Sequence, residues 1–256
     1  MKLLVVGHSH VEGVRDAARA LHAAGLGADF AFVQLRDEAF VNDPTQDETQ
    51  VGDRLREAIA QHGADCDASL LMLAGNAYNG LSLFEHPEPF DFVLDEDPDL
   101  PLDSSRSLVP SALLAAHLQR WAPFALPNAQ RRRLLPLLPR PIGQTDAPPP
   151  IADNDVVVSL LLDAQRRSPR ALRGIAPAGL RHKVWRLHSR LLADECRSLG
   201  LPLLPAPAAA VDAPGFLARP AWGQDVLHPN AWYGAQVLQQ ALQQALQQTL
   251  QQVAAS

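Results

Sequence analysis

Lys2-Leu3-Leu4-Val5-Val6, running into Gly7-His8-Ser9-His10, is the stretch whose reading decides the fold. The run has no polar alternation, so both of its faces are apolar, as in a strand buried between two layers. Gly7 ends it, and a short polar loop follows. Val11 to Ala24 then carries Val14, Ala17, Ala18 and Leu21 at helical spacing, with Gly25 and Gly27 closing the helix. A strand, a loop and a helix in that order open a βαβ unit.

Outward from this unit the alternation repeats. Asp29 to Leu35 reads as a second strand, Val51 to His62 as a helix stopped by Gly63, and Ala68 to Ala74 as a third strand, apolar but for Ser69. Ser111 to Trp121 reads as a helix and Leu134 to Leu138 as a fourth strand despite Pro136. Gly179 to Leu199 is amphipathic, with Leu180, Val184, Leu187, Leu191 and Leu192 on one stripe and basic residues opposite. Leu201 to Leu204 supplies a fifth strand, and a last helix starts near Ala231. Strands apolar on both faces, alternating with helices, predict a parallel sheet covered on both sides.

Two segments interrupt the pattern. Prolines are dense from Pro123 to Pro150, so the region from 121 to 150 is expected to form an ordered surface loop or active-site rim. Arg131, Arg132 and Arg133 within it read as a solvated start to the fourth strand. In the last helix Leu238, Leu242, Leu246 and Leu250 recur every four residues among glutamines. That period drifts by about 40° per step against a helical turn, so the stripe cannot face one surface throughout. Its start is expected to pack on the sheet, and its Gln-rich end, about 239–256, to fray or meet a partner protein.

Composition bounds the function. The chain has 256 residues, 47% hydrophobic and 5% aromatic, so Leu, Ala and Val build most of one domain's core. A net charge of −6 argues against a nucleic-acid surface, which needs a basic face. Cys66 and Cys196, two isolated cysteines, suit reduced thiols rather than a disulfide framework or a zinc site. Leu3 to Val6 is too short for a signal-peptide core, and no stretch reaches the roughly 18 apolar residues of a membrane span. A cytoplasmic location is the expectation.

Ligands of parallel sheets bind at the carboxyl ends of the strands, and three features fall there. Ser9 follows the first strand just before a helix, where its hydroxyl is exposed and its N–H sits at the helix N-terminus; the plain alternative is a helix cap. Gly75-Asn76 follows the third strand, with Asn79 beyond, and Asn76 can donate to a developing oxyanion; the plain alternative is a turn. Asp225-Val226-Leu227-His228 precedes the last helix, so that the carboxylate can orient the imidazole as a general base, with Asn230 as cap.

In that order, these residues resemble the SGNH (GDSL-like) hydrolase superfamily over Lys2 to about Leu238. The resemblance implies a three-layer α/β/α sandwich with a flavodoxin-like sheet and an acyl-ester chemistry needing no cofactor. It implies Ser9 as nucleophile, Asn76 as oxyanion donor, and Asp225 and His228 as the rest of a triad. The substrate would be a small-molecule, glycan or peptide acyl ester. This chain departs from the pattern in three places. His8 stands where an acidic residue is usual; Ala77 follows Asn76 where an acid is frequent; and no glycine is matched to the second oxyanion donor, Gly52 being the nearest. Trp222 and Trp232 are expected to shape the pocket.

Two other classes compete. His8 and His10, one residue apart at a strand end, could hold a divalent ion with Asp225 and His228. Alternatively, the fold could bind a glycan, peptide or partner without turning it over. In the enzyme reading His10 lines the pocket and His8 packs beneath Ser9.

Overall fold

The apolar runs become a single parallel sheet in a computed structural model of the chain, which describes residues 1–25, 28–46, 50–121 and 129–255. Gly27 and the prolines between 122 and 128 lie outside the described residues. The strands are β1 (Lys2–Gly7), β2 (Asp29–Gln34), β3 (Ala68–Met72), β4 (Pro141–Thr145) and β5 (Leu203–Leu204). They lie in the order β2-β1-β3-β4-β5 and every neighbouring pair is parallel. This is the flavodoxin-like order, whose strand ends gather ligands where the order reverses, between β1 and β3.

Alternate residues of β1 feed two separate cores. Leu4 and Val6 join Leu71, Leu73 and the helices α2 (Asp53–Gly63), α3 (Ser111–Trp121) and α4 (Ala178–Ser198) on one face. Leu3 and Val5 join Leu70, Met72, α1 (Val11–Ala23) and α5 (Ala231–Ala255) on the other. The result is a three-layer α/β/α sandwich. The period-2 geometry of a strand explains why a continuous apolar run was needed to serve both layers.

Four expectations are corrected. Leu134 to Leu138 is helical: Ala129–Leu134 forms an α-helix that tightens into a 3₁₀ turn over Leu135–Leu137. Pro136 has no N–H to give a ladder but fits a first helical turn, and Leu134 and Leu138 still reach the core. The true fourth strand is Pro141–Thr145, hydrogen-bonded between β3 and β5. Secondly, the segment after it is buried through Pro148, Pro149 and Pro150 and is not a surface loop, whereas the alternative of a rim stands, since Thr145, Asp146 and Pro148 line a cavity with Ser9. Prolines suit such a path because each has only a carbonyl to satisfy. Tyr78 Oη donates to Pro148 O at 2.9 Å, and Leu217 N donates to Pro150 O at 2.9 Å.

Thirdly, charges expected at the surface are inside. Arg131 is fully buried, and on α4 Arg181 and Lys183 are buried beside the leucine stripe. Arg181 is accommodated by carbonyls, donating to Ala176 O at 2.5 Å and Ile151 O at 2.6 Å. Lys183 pairs with Asp91. Finally, the glutamine-rich end stays helical to Ala255. Its stripe does rotate out of the core: Leu238 is buried, whereas Leu246 and Leu250 are 55% and 68% exposed.

Candidate active site

Ser9 sits on the turn that joins β1 to α1. His8 N donates to Met72 O across the sheet, and Ser9 O accepts from Glu12 N at 3.1 Å, starting the helix. The hydroxyl does not cap α1, since no side chain does so there. It points to His228, with Oγ 2.9 Å from Nε2. The Ser9 N–H, just before the His10 N-cap of α1, makes no backbone hydrogen bond among the described residues.

The Asp225 carboxylate organises its own loop before it meets the imidazole. Oδ1 accepts from Leu227 N at 2.6 Å and His228 N at 2.9 Å, which folds four residues into a tight turn. His228 Nδ1 then lies 3.0 Å from Oδ2. A carboxylate only accepts, so Nδ1 carries the hydrogen and Nε2 is left to accept the Ser9 O–H. Burial raises the Asp225 pKa, but the His228 and Leu227 hydrogen bonds outweigh it and the carboxyl ends below its ordinary value. The group stays an anion across the neutral range.

Gly223 lets this loop close. A Cβ at that position would stand 1.8 Å from His228 O, so any side chain would push the imidazole away from Ser9. Asn230 holds the far end: Nδ2 donates to Pro220 O and Trp222 O, and Oδ1 accepts from Tyr233 N at 3.1 Å as the cap of α5. Trp222 and Trp232 were expected at the pocket but line neither cavity around Ser9. Trp222 instead pins the loop, donating from Nε1 to Leu217 O at 2.8 Å.

Asn76 follows a backbone turn that Gly75 makes with φ +57°, a left-handed conformation that L side chains rarely adopt. The Asn76 amide donates to Leu227 O, and His10 Nε2 lies 2.8 Å from Asn76 Nδ2 and 2.9 Å from Leu227 O. Asn76 and His10 therefore tie β3's loop and α1 to the loop that carries His228. The His10 ring also meets the His228 ring edge-on, at 5.2 Å between centroids. Burial pushes the His10 pKa down to about 4, so the ring is neutral at pH 7. Asn79 is buried and lines the same cavity as Asn76.

His8 turns away from His10, to Gln130 Oε1 at 3.3 Å. Burial, followed by the Arg36 charge, holds its pKa below the ordinary histidine range. Among the described residues no three His, Cys, Asp or Glu side chains converge as a metal ion would need. Gly52 caps α2 and packs on Asp43, whereas the residue after β2 that lines the cavity is Arg36.

Ser9 and His228 are shared by two cavities, of about 430 and 380 Å³. Arg36, Gly223, Asp146 and the Leu227 carbonyl belong to this corner and were missed in the sequence. Gly223 alone carried a signal, as a glycine two residues before the Asp225 turn.

No family model matches the chain, and no curated protein matches it. Among solved structures it is similar to a GDSL-like lipase from Bacteroides thetaiotaomicron, at 10% identity and TM-score 0.42, over 97% of this chain and 88% of that one. A carbohydrate acetylesterase from Sinorhizobium meliloti aligns at 15% identity and TM-score 0.39, over 99% and 98%. A mutant Geobacillus acetyl-xylooligosaccharide esterase aligns at 11% identity and TM-score 0.40, over 95% and 93%.

Proposed function

We propose that the chain is a serine-dependent acyl-ester hydrolase of the SGNH type. The observation that carries this is the unbroken line of contacts from Ser9 Oγ through His228 to Asp225. Ser9 Oγ attacks the ester carbonyl as its proton passes to His228 Nε2, and Asp225 stabilises the imidazolium. The new C–O bond leaves a tetrahedral oxyanion, taken up by the Ser9 N–H and by one Asn76 hydrogen. The other Asn76 hydrogen stays on Leu227 O. The imidazolium returns its proton to the departing alkoxide, leaving an acyl-serine. Water, deprotonated by the same nitrogen, then releases the carboxylic acid and restores Ser9.

A neutral His10 fits this scheme, because a second imidazolium against His228 would oppose proton uptake there. No cofactor enters any step. The test is hydrolysis of 4-nitrophenyl acetate and butyrate by the wild type and Ser9→Ala. The variant is expected to fall to the uncatalysed background. Undiminished hydrolysis by Ser9→Ala would overturn the assignment.

A further inference from the structure

The two cavities that meet at Ser9 and His228 differ in charge. The larger is lined by Glu12, Asp16, Asp146 and Asp225 and by no lysine or arginine. The smaller, on the Asn76 side, is lined by Arg36 and Arg170 and by no carboxylate. In a chain of net charge −6 this separation is directional: an anion is repelled by one side of the nucleophile and attracted by the other.

The two arginines are poised to bind. Arg36 stands two residues after β2, and its guanidinium makes no ion pair or hydrogen bond with any described residue. Its charge is felt at His8, next to the nucleophile. Arg170 is anchored by one bond, from Nη1 to Gly80 O at 3.2 Å, and its other donors remain available. Between them Asn79 and Gln165 offer amides, while Leu83 and Phe84 form an apolar wall. A cavity of about 380 Å³ is far larger than an acetyl group needs.

Building on the reading of Ser9 as nucleophile, we propose that the substrate is an anionic ester. One half carries a carboxylate or phosphate that lies in the smaller cavity against Arg36 and Arg170, and the uncharged half lies in the acid-lined cavity. Guanidinium forks match both anions, so the two groups share one recognition chemistry.

The test uses matched pairs. Mono-4-nitrophenyl succinate is set against 4-nitrophenyl butyrate, placing the anion in the acyl half. 4-Acetoxybenzoate is set against its methyl ester, placing it in the alcohol half; acetyl esters of a phosphorylated and an unphosphorylated phenol separate phosphate from carboxylate. In one pair kcat/KM for the anionic ester is expected to exceed the neutral one by about tenfold or more, the scale of one charge-assisted hydrogen bond. That ratio falls toward one in Arg36→Ala and in Arg170→Ala, is partly retained in Arg36→Lys, and shrinks with added salt. A preference for neutral esters, or a ratio that neither arginine variant moves, overturns the proposal. The parallel control is fluorophosphonate labelling. A Ser9 that labels without any anionic preference overturns this inference alone, whereas an inert Ser9 removes the reading beneath it as well.

Discussion

Two carboxylate–base pairs in this molecule use the same chemistry to opposite ends. At the strand ends, Asp225 holds His228 through Nδ1 and leaves Nε2 free to meet Ser9. Beneath α4, Asp91 holds Lys183, and the remaining ammonium donors go to Phe92 O and Pro101 O, both at 3.2 Å. The lysine's three donors are thereby used, and its side chain is 3% exposed against 37% for His228. One pair keeps a valence for an incoming group; the other is closed and can only hold the fold together. What separates a reactive pair from a structural one is the unspent atom, more than the pairing itself.

Breaking the two pairs should therefore give opposite phenotypes. The largest effect belongs to the open pair: Ser9→Ala and His228→Ala are each expected to lower kcat by about 10⁴- to 10⁶-fold with little change in the urea midpoint. At the closed pair, Lys183→Met strands Asp91 in the interior and should cost about 3–5 kcal/mol in urea unfolding. A Lys183→Met/Asp91→Leu double variant should recover much of that loss. If Lys183→Met instead abolished turnover in a protein of full stability, the distinction between the pairs would collapse. Next in size, Asn76→Ala should lower kcat by about 10²- to 10³-fold, since it removes the proposed oxyanion donor together with the tie to Leu227 O.

The smallest effect sharpens the comparison by pH. His188 is wholly buried, and neither ring nitrogen has a hydrogen-bond partner among the described residues. Burial, followed by the Arg131 charge, pushes its pKa down to about 4. A base depressed in the folded state stabilises the fold above its ordinary value near 6.5 and loses that contribution as pH falls toward 4. His10, also near 4, acts in the same direction. Asp146 acts in the opposite one: burial raises it to about 6, so its contribution is present at low pH and lost as pH rises through 6. Thermal unfolding from pH 7 to 4 should show a falling Tm for the wild type. His188→Leu should be more stable by about 1–3 kcal/mol and show a shallower fall. A variant that is less stable at every pH would mean that His188 holds a partner of its own.

How much of this could be read from the chain depends on how local the cause is. The strands β1 and β3 were legible because burial on both faces leaves an apolar run, interrupted in β3 only by Ser69. The strand Pro141–Thr145 was not, because its buried Gln144 and its flanking prolines imitate a loop, while Leu134 to Leu138 imitates a strand. Ser9, Asp225 and His228 were legible because each places a polar side chain at a strand end or in a four-residue turn. The roles of Arg36 and the Leu227 carbonyl arise only when distant segments meet, and no spacing records that approach. Buried Arg181 and Lys183 were misread for the same reason: Arg181 donates to Ile151 O and Lys183 to Asp91, 30 and 92 positions away in the chain.

The measurement that bears most directly on the central claim is fluorophosphonate labelling of the purified protein, read by intact mass and peptide mapping. The account predicts one adduct per chain, on Ser9, lost in Ser9→Ala and in His228→Ala. A folded wild-type protein that takes up no label, or takes it up elsewhere, would contradict it.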